Sequence, residues 1–271
     1  MTVREALSVA AARLAAVSDT PRLDAELLMA HALGVERGEM LLSGLDSAPP
    51  AAYQTLLDRR LAHEPVAYII GRRAFWSIEL EVGRGALVPR PDSETLIEAA
   101  IAHFGDKAPR AILDLGTGPG TLLLAALDQW PDARGLGIDA SEAALAYARR
   151  NVETLGLAAR AEFRLGGWAS VDGRFDLILC NPPYVETGAD LPRDVASWEP
   201  AEALFAGPEG LDDYRLLAPL VPQLVAPGGI ACIEIGAEQA QSAGALFAAQ
   251  GLQVTVRKDL AGRDRCLVLA P

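Results

Sequence analysis

The residues best placed to do chemistry in this chain end the run DLILCNPPYVE, Asp176 to Glu186. Its first part is apolar enough for a buried strand, which Asn181, Pro182, Pro183 and Tyr184 then terminate. A proline has no backbone N–H, so this strand tip offers acceptors and almost no donors. Asn181 precedes a proline and is pushed toward an extended conformation. Its side-chain oxygen and the Pro182 carbonyl form an acceptor pair suited to a planar –NH2 group, on which Tyr184 can stack. An amide or aromatic amino nitrogen is a poor nucleophile because its lone pair is delocalised. Two acceptors on its hydrogens favour the positive charge that grows during bond formation, and they aim the nitrogen at an electrophile. No tuned general base is needed, since the alkylated nitrogen is strongly acidic. The competing reading is a plain strand-ending turn, common for Asn-Pro and Pro-Pro.

A second motif, DLGTGPG, runs from Asp114 to Gly120 where a strand gives way to a helix. Gly116, Gly118 and Gly120, with Thr117 and Pro119 between them, allow a tight turn and close approach of a ligand to the backbone. The spacing is one residue shorter than the G-x-G-x-x-G of nicotinamide-binding units. About twenty residues on, Asp139 ends the next strand, where a carboxylate accepts both hydroxyls of a ribose; its alternative role is a helix N-cap. Trp168, after the third strand, suits packing against a purine or plain core filling. Together these features indicate an adenosine-containing ligand without a required pyrophosphate. Beside the acceptor pair, methyl transfer from S-adenosylmethionine is the chemistry that explains both motifs.

The elements that must position these residues divide the chain. From residue 1 to about 71 the pattern is helical throughout, with Leu7, Ala10, Leu14 and Val17 at helical spacing and Pro21 at the start of a second helix. Residues 72–93 alternate around glycines as a hairpin and linker. Residues 94–271 alternate strands with helices, which predicts a largely parallel α/β sheet with helices on both faces. Two closing strands without a helix between them predict an antiparallel hairpin at one edge.

The 271 residues carry a net charge of −12 and no Lys/Arg run, which argues against stable nucleic-acid binding. The pairs Arg59-Arg60 and Arg149-Arg150 are expected on solvated helix faces. No apolar run is long enough for a membrane span, and Arg4, Glu5 and Arg13 interrupt the Ala-rich start, so a cytoplasmic location is expected; with no obvious exposed apolar seam in the pattern, a monomer is expected. The three cysteines, Cys180, Cys232 and Cys266, lie in apolar strand-like runs without metal or disulfide spacing, and no metal is expected. His31, His63 and His103 receive no catalytic role.

At Asn181 to Tyr184 the chain resembles S-adenosylmethionine-dependent methyltransferases that modify planar amino groups of adenine, cytosine or glutamine. EPVAYIIGRRAFWSIELEVGRGALVPRPDSETLIE, EPAEALFAGPEGLDDYR and KDLAGRDRCLVLA resemble segments of the HemK/PrmC family. That family methylates the glutamine of the Gly-Gly-Gln motif in peptide chain release factors. The resemblance implies a seven-stranded Rossmann-like methyltransferase domain preceded by a small helical bundle that binds the release factor. It further implies that Gly116 to Gly120 surround the methionine part of the cofactor, Asp139 holds the ribose and Trp168 lies beside the adenine. Asn181 would touch cofactor and substrate, Asn181 to Tyr184 would cradle the glutamine amide, and Arg90 and Glu94 would help shape the pocket.

Two positions depart from that pattern. Pro119 stands where a small or hydroxylated residue is usual, and Gly167 where an Asp commonly meets the adenine amino group. Losing one such hydrogen bond, worth ~1 kcal/mol net, weakens binding several-fold; Ser170 or Asp172 are the expected substitutes. The alternatives are a DNA adenine methyltransferase, a nicotinamide oxidoreductase and a non-catalytic binding protein. The first lacks a basic face, the second the glycine spacing, and the third is separated by cofactor titration.

Overall fold

Thr2 opens the first helix, Val3–Leu14, with a reciprocal cap: its hydroxyl accepts the Glu5 N–H while the Glu5 carboxylate accepts the Thr2 N–H. Two otherwise orphaned donors are thereby satisfied. The second helix, Pro21–Leu33, starts on proline and ends where Gly34 turns left-handed. With the helices Ala52–Leu61 and Val66–Ile70 they enclose a core that includes Leu7, Leu14, Leu28, Met29, Tyr53 and Leu57.

The computed structural model describes residues 1–271. The helical unit comprises Met1–Arg72 together with Leu191–Glu199, and the second unit Arg73–Asp190 together with Pro200–Pro271. The 72–93 hairpin therefore falls almost entirely within the second unit. The stretch 191–199, which the alternation of strands and helices assigned to the α/β region, instead packs with the helices. An ion-paired cluster explains why. Arg60, 4% exposed, donates to Asp24 at 2.7 Å and to Asp194 at 3.2 Å. The expectation of a solvated Arg60 is thus wrong: a buried guanidinium is held by carboxylates that sequence patterning cannot bring together. Arg149 and Arg150 do lie on the surface, paired with Glu142 and Glu81.

The second unit opens with a two-stranded hairpin, β1 (Arg72–Phe75) and β2 (Ile78–Glu81). Its main sheet has seven strands: β3 (Ala111–Leu115), β4 (Arg134–Asp139), β5 (Ala161–Leu165), β6 (Phe175–Cys180), β7 (Val225–Glu234), β8 (Gln253–Lys258) and β9 (Asp264–Ala270). They lie in the order β5-β4-β3-β6-β7-β9-β8, parallel except for the β7–β9 and β8–β9 pairs. The closing hairpin is antiparallel at the edge, as the missing helix predicts, with β9 inserted next to β7. Near-continuous apolar strands such as LILC and IACI suit a sheet covered on both faces, and Cys180, Cys232 and Cys266 are buried in it.

Register sets the site. Leu115 pairs with Ile138 on one side and Cys180 on the other, so β3, β4 and β6 end level. One position further on stand Gly116, Asp139 (the last residue of β4) and Asn181, gathered at the carboxyl edge where the strand order reverses. Cys180 also pairs with Ile233, which brings Glu234 level with Asn181.

Candidate active site

Gly116 begins the loop after β3 at φ +71°, and a Cβ there would lie 3.1 Å from the Trp168 ring. Both the left-handed backbone and the close indole demand glycine. Asp139 holds the far side of this loop: its Oδ2 accepts the Gly118 N–H at 2.8 Å and its Oδ1 accepts the Ser141 N–H at 2.8 Å. The helix Glu142–Thr154 is capped by Ser141, whose hydroxyl accepts the Ala144 N–H. The N-cap alternative for Asp139 therefore falls away. Burial raises its pKa, opposed by those backbone donors.

Asp114, to which the sequence analysis gives no role of its own, lies fully buried beneath the loop. Its Oδ2 accepts the Thr117 hydroxyl at 2.6 Å and the Leu123 N–H at 3.1 Å, while Oδ1 has no partner. Desolvation pushes its pKa up to about 7. Pro119 is accommodated without loss on its acceptor side, since its carbonyl accepts from Asn151 Nδ2 at 2.9 Å.

A cavity of about 370 Å³ opens beside these groups, walled by Gly116, Gly118, Asp139, Trp168, Asn181 and Pro183 among others. A neighbouring recess of about 40 Å³ is walled by Thr117, Pro119, Arg90 and Ser93, and shares Asn181, Gly116 and Gly118 with the cavity. Gly120, Pro182 and Tyr184 stand in neither wall. Gly120 leads into the helix Thr121–Gln129. Pro182 is buried, and Tyr184 sends its hydroxyl inward to Glu234 Oε1 at 3.0 Å. Glu94 does not wall the site either; its carboxylate accepts the Trp76 N–H at 2.8 Å and so holds the hairpin turn.

Trp168 combines its two expected roles, packing on the core and facing the cavity. Its indole N–H donates to Asp213 Oδ1 at 2.8 Å. Gly167 walls the cavity with open space around its missing Cβ. The cavity wall carries the carboxylates of Asp139, Glu202 and Asp213, of which Asp213 holds the Trp168 indole, and neither Ser170 nor Asp172 stands in it. Only the ordinary polarity of Asp213 in EGLDDYR marked it, and the sequence separation from Trp168 concealed it.

The site suits S-adenosylmethionine. The volume falls in the ~300–1,000 Å³ range of small-molecule pockets, and Asp139 and Asp213 supply acceptors for hydroxyl and amino groups. The orphaned Asp114 Oδ1 is a buried acceptor beside the loop, the kind of group an ammonium donor satisfies. No cluster of metal-binding side chains is present.

Residues 5–71 match the PrmC N-terminal domain, and residues 93–197 match the methyltransferase small domain. The chain is 45% identical over 257 residues to the release factor glutamine methyltransferase of Rhodospirillum rubrum, spanning 92% of this chain and 79% of that protein. Identity to the protein of the same name from Cereibacter sphaeroides is 43% over 274 residues, spanning 98% and 97%. Among solved structures, a methyltransferase from Pyrococcus furiosus superposes with a TM-score of 0.52 at 20% identity, spanning 80% of this chain and 97% of that one. That likeness speaks to the fold alone. The curated relatives, in contrast, are 43–45% identical and span 92–98% of this chain, and on that ground the chain belongs to the release factor glutamine methyltransferase family.

Proposed function

We propose that this protein transfers a methyl group from S-adenosylmethionine to the side-chain amide nitrogen of the glutamine in the Gly-Gly-Gln motif of peptide chain release factors, and thereby modulates translation termination. The observation that carries the reading is the place of Asn181. It ends β6 in the wall of the same cavity as Gly116, Gly118 and Asp139, so an acceptor for the nucleophile stands beside the cofactor-sized space.

The cofactor supplies a methyl group made electrophilic by its sulfonium. Asn181 Oδ1 and the Pro182 carbonyl each accept one amide hydrogen, which aligns the nitrogen and favours the charge it acquires. Bound S-adenosylmethionine would supply the methyl group and leave as S-adenosylhomocysteine, and the methylated nitrogen would lose a proton to water. Asp139 would take the ribose hydroxyls in exchange for part of its hold on the loop. Asp213 and Trp168 would stand beside the adenine, and Tyr184 keeps the strand tip rigid through its inward hydroxyl.

The helical unit is assigned the grip on the release factor; exposed Val9 and Leu42 give it apolar surface for a protein partner. The protein is read as a cytoplasmic monomer without a stable nucleic-acid partner, in keeping with its net charge of −12. No helix is long and apolar enough to cross a membrane. Peptide mass spectrometry of a release factor incubated with the protein and S-adenosylmethionine tests the function. One added methyl on the Gly-Gly-Gln glutamine is expected. An unmodified glutamine, with cofactor binding confirmed by titration, contradicts the substrate assignment.

A further inference from the structure

β8 ends at the reactive edge of the sheet. β9 runs antiparallel to β7 and β8 antiparallel to β9, so β8 runs in the same direction as β6 and β7. The turn that follows Lys258 therefore leaves the sheet at the carboxyl edge where Asn181 stands. It carries Leu260, which at 98% is the most exposed of the large apolar residues. We propose that Leu260 is a docking point for the release factor, meeting an apolar spot on the surface around its Gly-Gly-Gln loop. The inference rests on the glutamine-methylation reading above.

Ion pairs fasten this turn to the wall of the smaller recess beside Asn181. Arg263 donates to Asp92 at 3.0 Å, and Arg265 lies 3.3 Å from the same carboxylate. Asp92 sits in the short turn Pro91–Ser93, and the residues that bracket it in sequence, Arg90 and Ser93, both wall the recess. Ser93 also accepts from Asn181 Nδ2 at 3.2 Å. A chain of printed contacts thus runs from the strand tip through Ser93 and Asp92 to the turn that bears Leu260.

The turn is ordered before any partner arrives. The Asp259 carboxylate accepts the Ala261 N–H at 2.9 Å, the Arg263 N–H at 3.0 Å and Arg263 Nε at 3.1 Å. The Gly262 N–H donates to the Asp259 carbonyl at 2.9 Å, with Gly262 left-handed at φ +79°. A single exposed leucine is ordinary on a protein surface. One held on a rigid turn tied to the reactive recess is not, because its docking costs little further ordering. The occupant follows from the position. A glutamine side chain is short, so the protein that carries it is drawn against the rim of the recess when the amide meets Asn181. The same protein then comes within reach of the turn.

Steady-state methylation of an intact release factor by Leu260→Asp tests this. KM for the release factor is expected to rise about tenfold while kcat stays within about twofold of wild type, the mark of lost uniform binding. Leu260→Ser, which removes the apolar contact without adding charge, should raise KM about fivefold, and Leu260→Met should keep it near wild type. Melting temperature and calorimetric affinity for S-adenosylhomocysteine should not change in any of the three. Wild-type KM in Leu260→Ser overturns the proposal, even if Leu260→Asp is impaired, since charge repulsion alone then explains the loss. A fall in kcat, cofactor affinity or melting temperature without a rise in KM also overturns it and makes the turn a support for the recess. A wild-type protein that leaves the glutamine unmethylated overturns the function reading itself, and the docking proposal with it.

Discussion

Asp139 Oδ2 accepts the Gly118 N–H at 2.8 Å, so the end of β4 holds the glycine loop of β3 in place. One carboxylate thus ties together two strand ends that lie 21 residues apart in sequence. It does so in a cavity wall, where the same oxygens are within reach of an incoming ligand. The loop is preorganised by the group assigned to the ribose.

Asp139→Asn should therefore weaken cofactor binding more than a lost contact alone. An amide offers one oxygen, and its NH2 opposes either the Gly118 or the Ser141 N–H. A loss of about tenfold or more in affinity is expected, in line with the ~1.5–3 kcal/mol of a hydrogen bond to a charged group. Isothermal titration with S-adenosylmethionine checks it, and unchanged affinity contradicts the role.

Asp114 gives the protein a stability that depends on pH. Its folded pKa is raised from 3.8 to about 7 by complete burial, so folding favours the protonated acid. The contribution is fully present below the unfolded value and is lost as pH rises through about 7. The loss is up to about 4 kcal/mol at ~1.4 kcal/mol per unit. Asp114→Asn keeps an oxygen for Thr117 and Leu123 and cannot ionise. Urea denaturation at pH 5 and pH 8 should show a smaller difference in the variant than in the wild type. Parallel pH profiles contradict the assignment.

Arg60 joins Asp24 and Asp194 in the helical unit. Arg60→Ala leaves the Asp24 carboxylate buried without its cation, with only the Thr20 hydroxyl donating to it, a change that costs about 3–5 kcal/mol. A clear drop in melting temperature is expected, with faster amide exchange across 191–199. Unaltered exchange in that stretch contradicts the view that Arg60 anchors it.

How far these features could be read from sequence follows from how local they are. Helix starts at Thr2 and Pro21, the left-handed stop at Gly34 and the alternation of strands with helices each depend on neighbouring residues, and they appear as expected. The glycine loop and Asn-Pro-Pro-Tyr were legible for the same reason. What escaped notice is pairing at a distance. Ser93 and Asn181 are 88 residues apart, Tyr184 and Glu234 50, and Trp168 and Asp213 45. No periodicity encodes such pairs; the parallel register of β6 on β7 creates one of them only once the sheet has formed. Asp213 was therefore overlooked in favour of Ser170 and Asp172, which are nearer in sequence to Gly167 yet absent from the cavity wall. Arg60 was misplaced because burial of a charge depends on partners 36 and 134 residues away.

The central claim is that acceptors at the β6 tip activate a planar amide nitrogen. Its most direct test is peptide mass spectrometry of one release factor after incubation with S-adenosylmethionine and either the wild type or Asn181→Ala. The account predicts a single methyl on the Gly-Gly-Gln glutamine with the wild type and none with the variant, which should still fold and bind S-adenosylhomocysteine. Methylation by Asn181→Ala at the wild-type rate would contradict the acceptor mechanism.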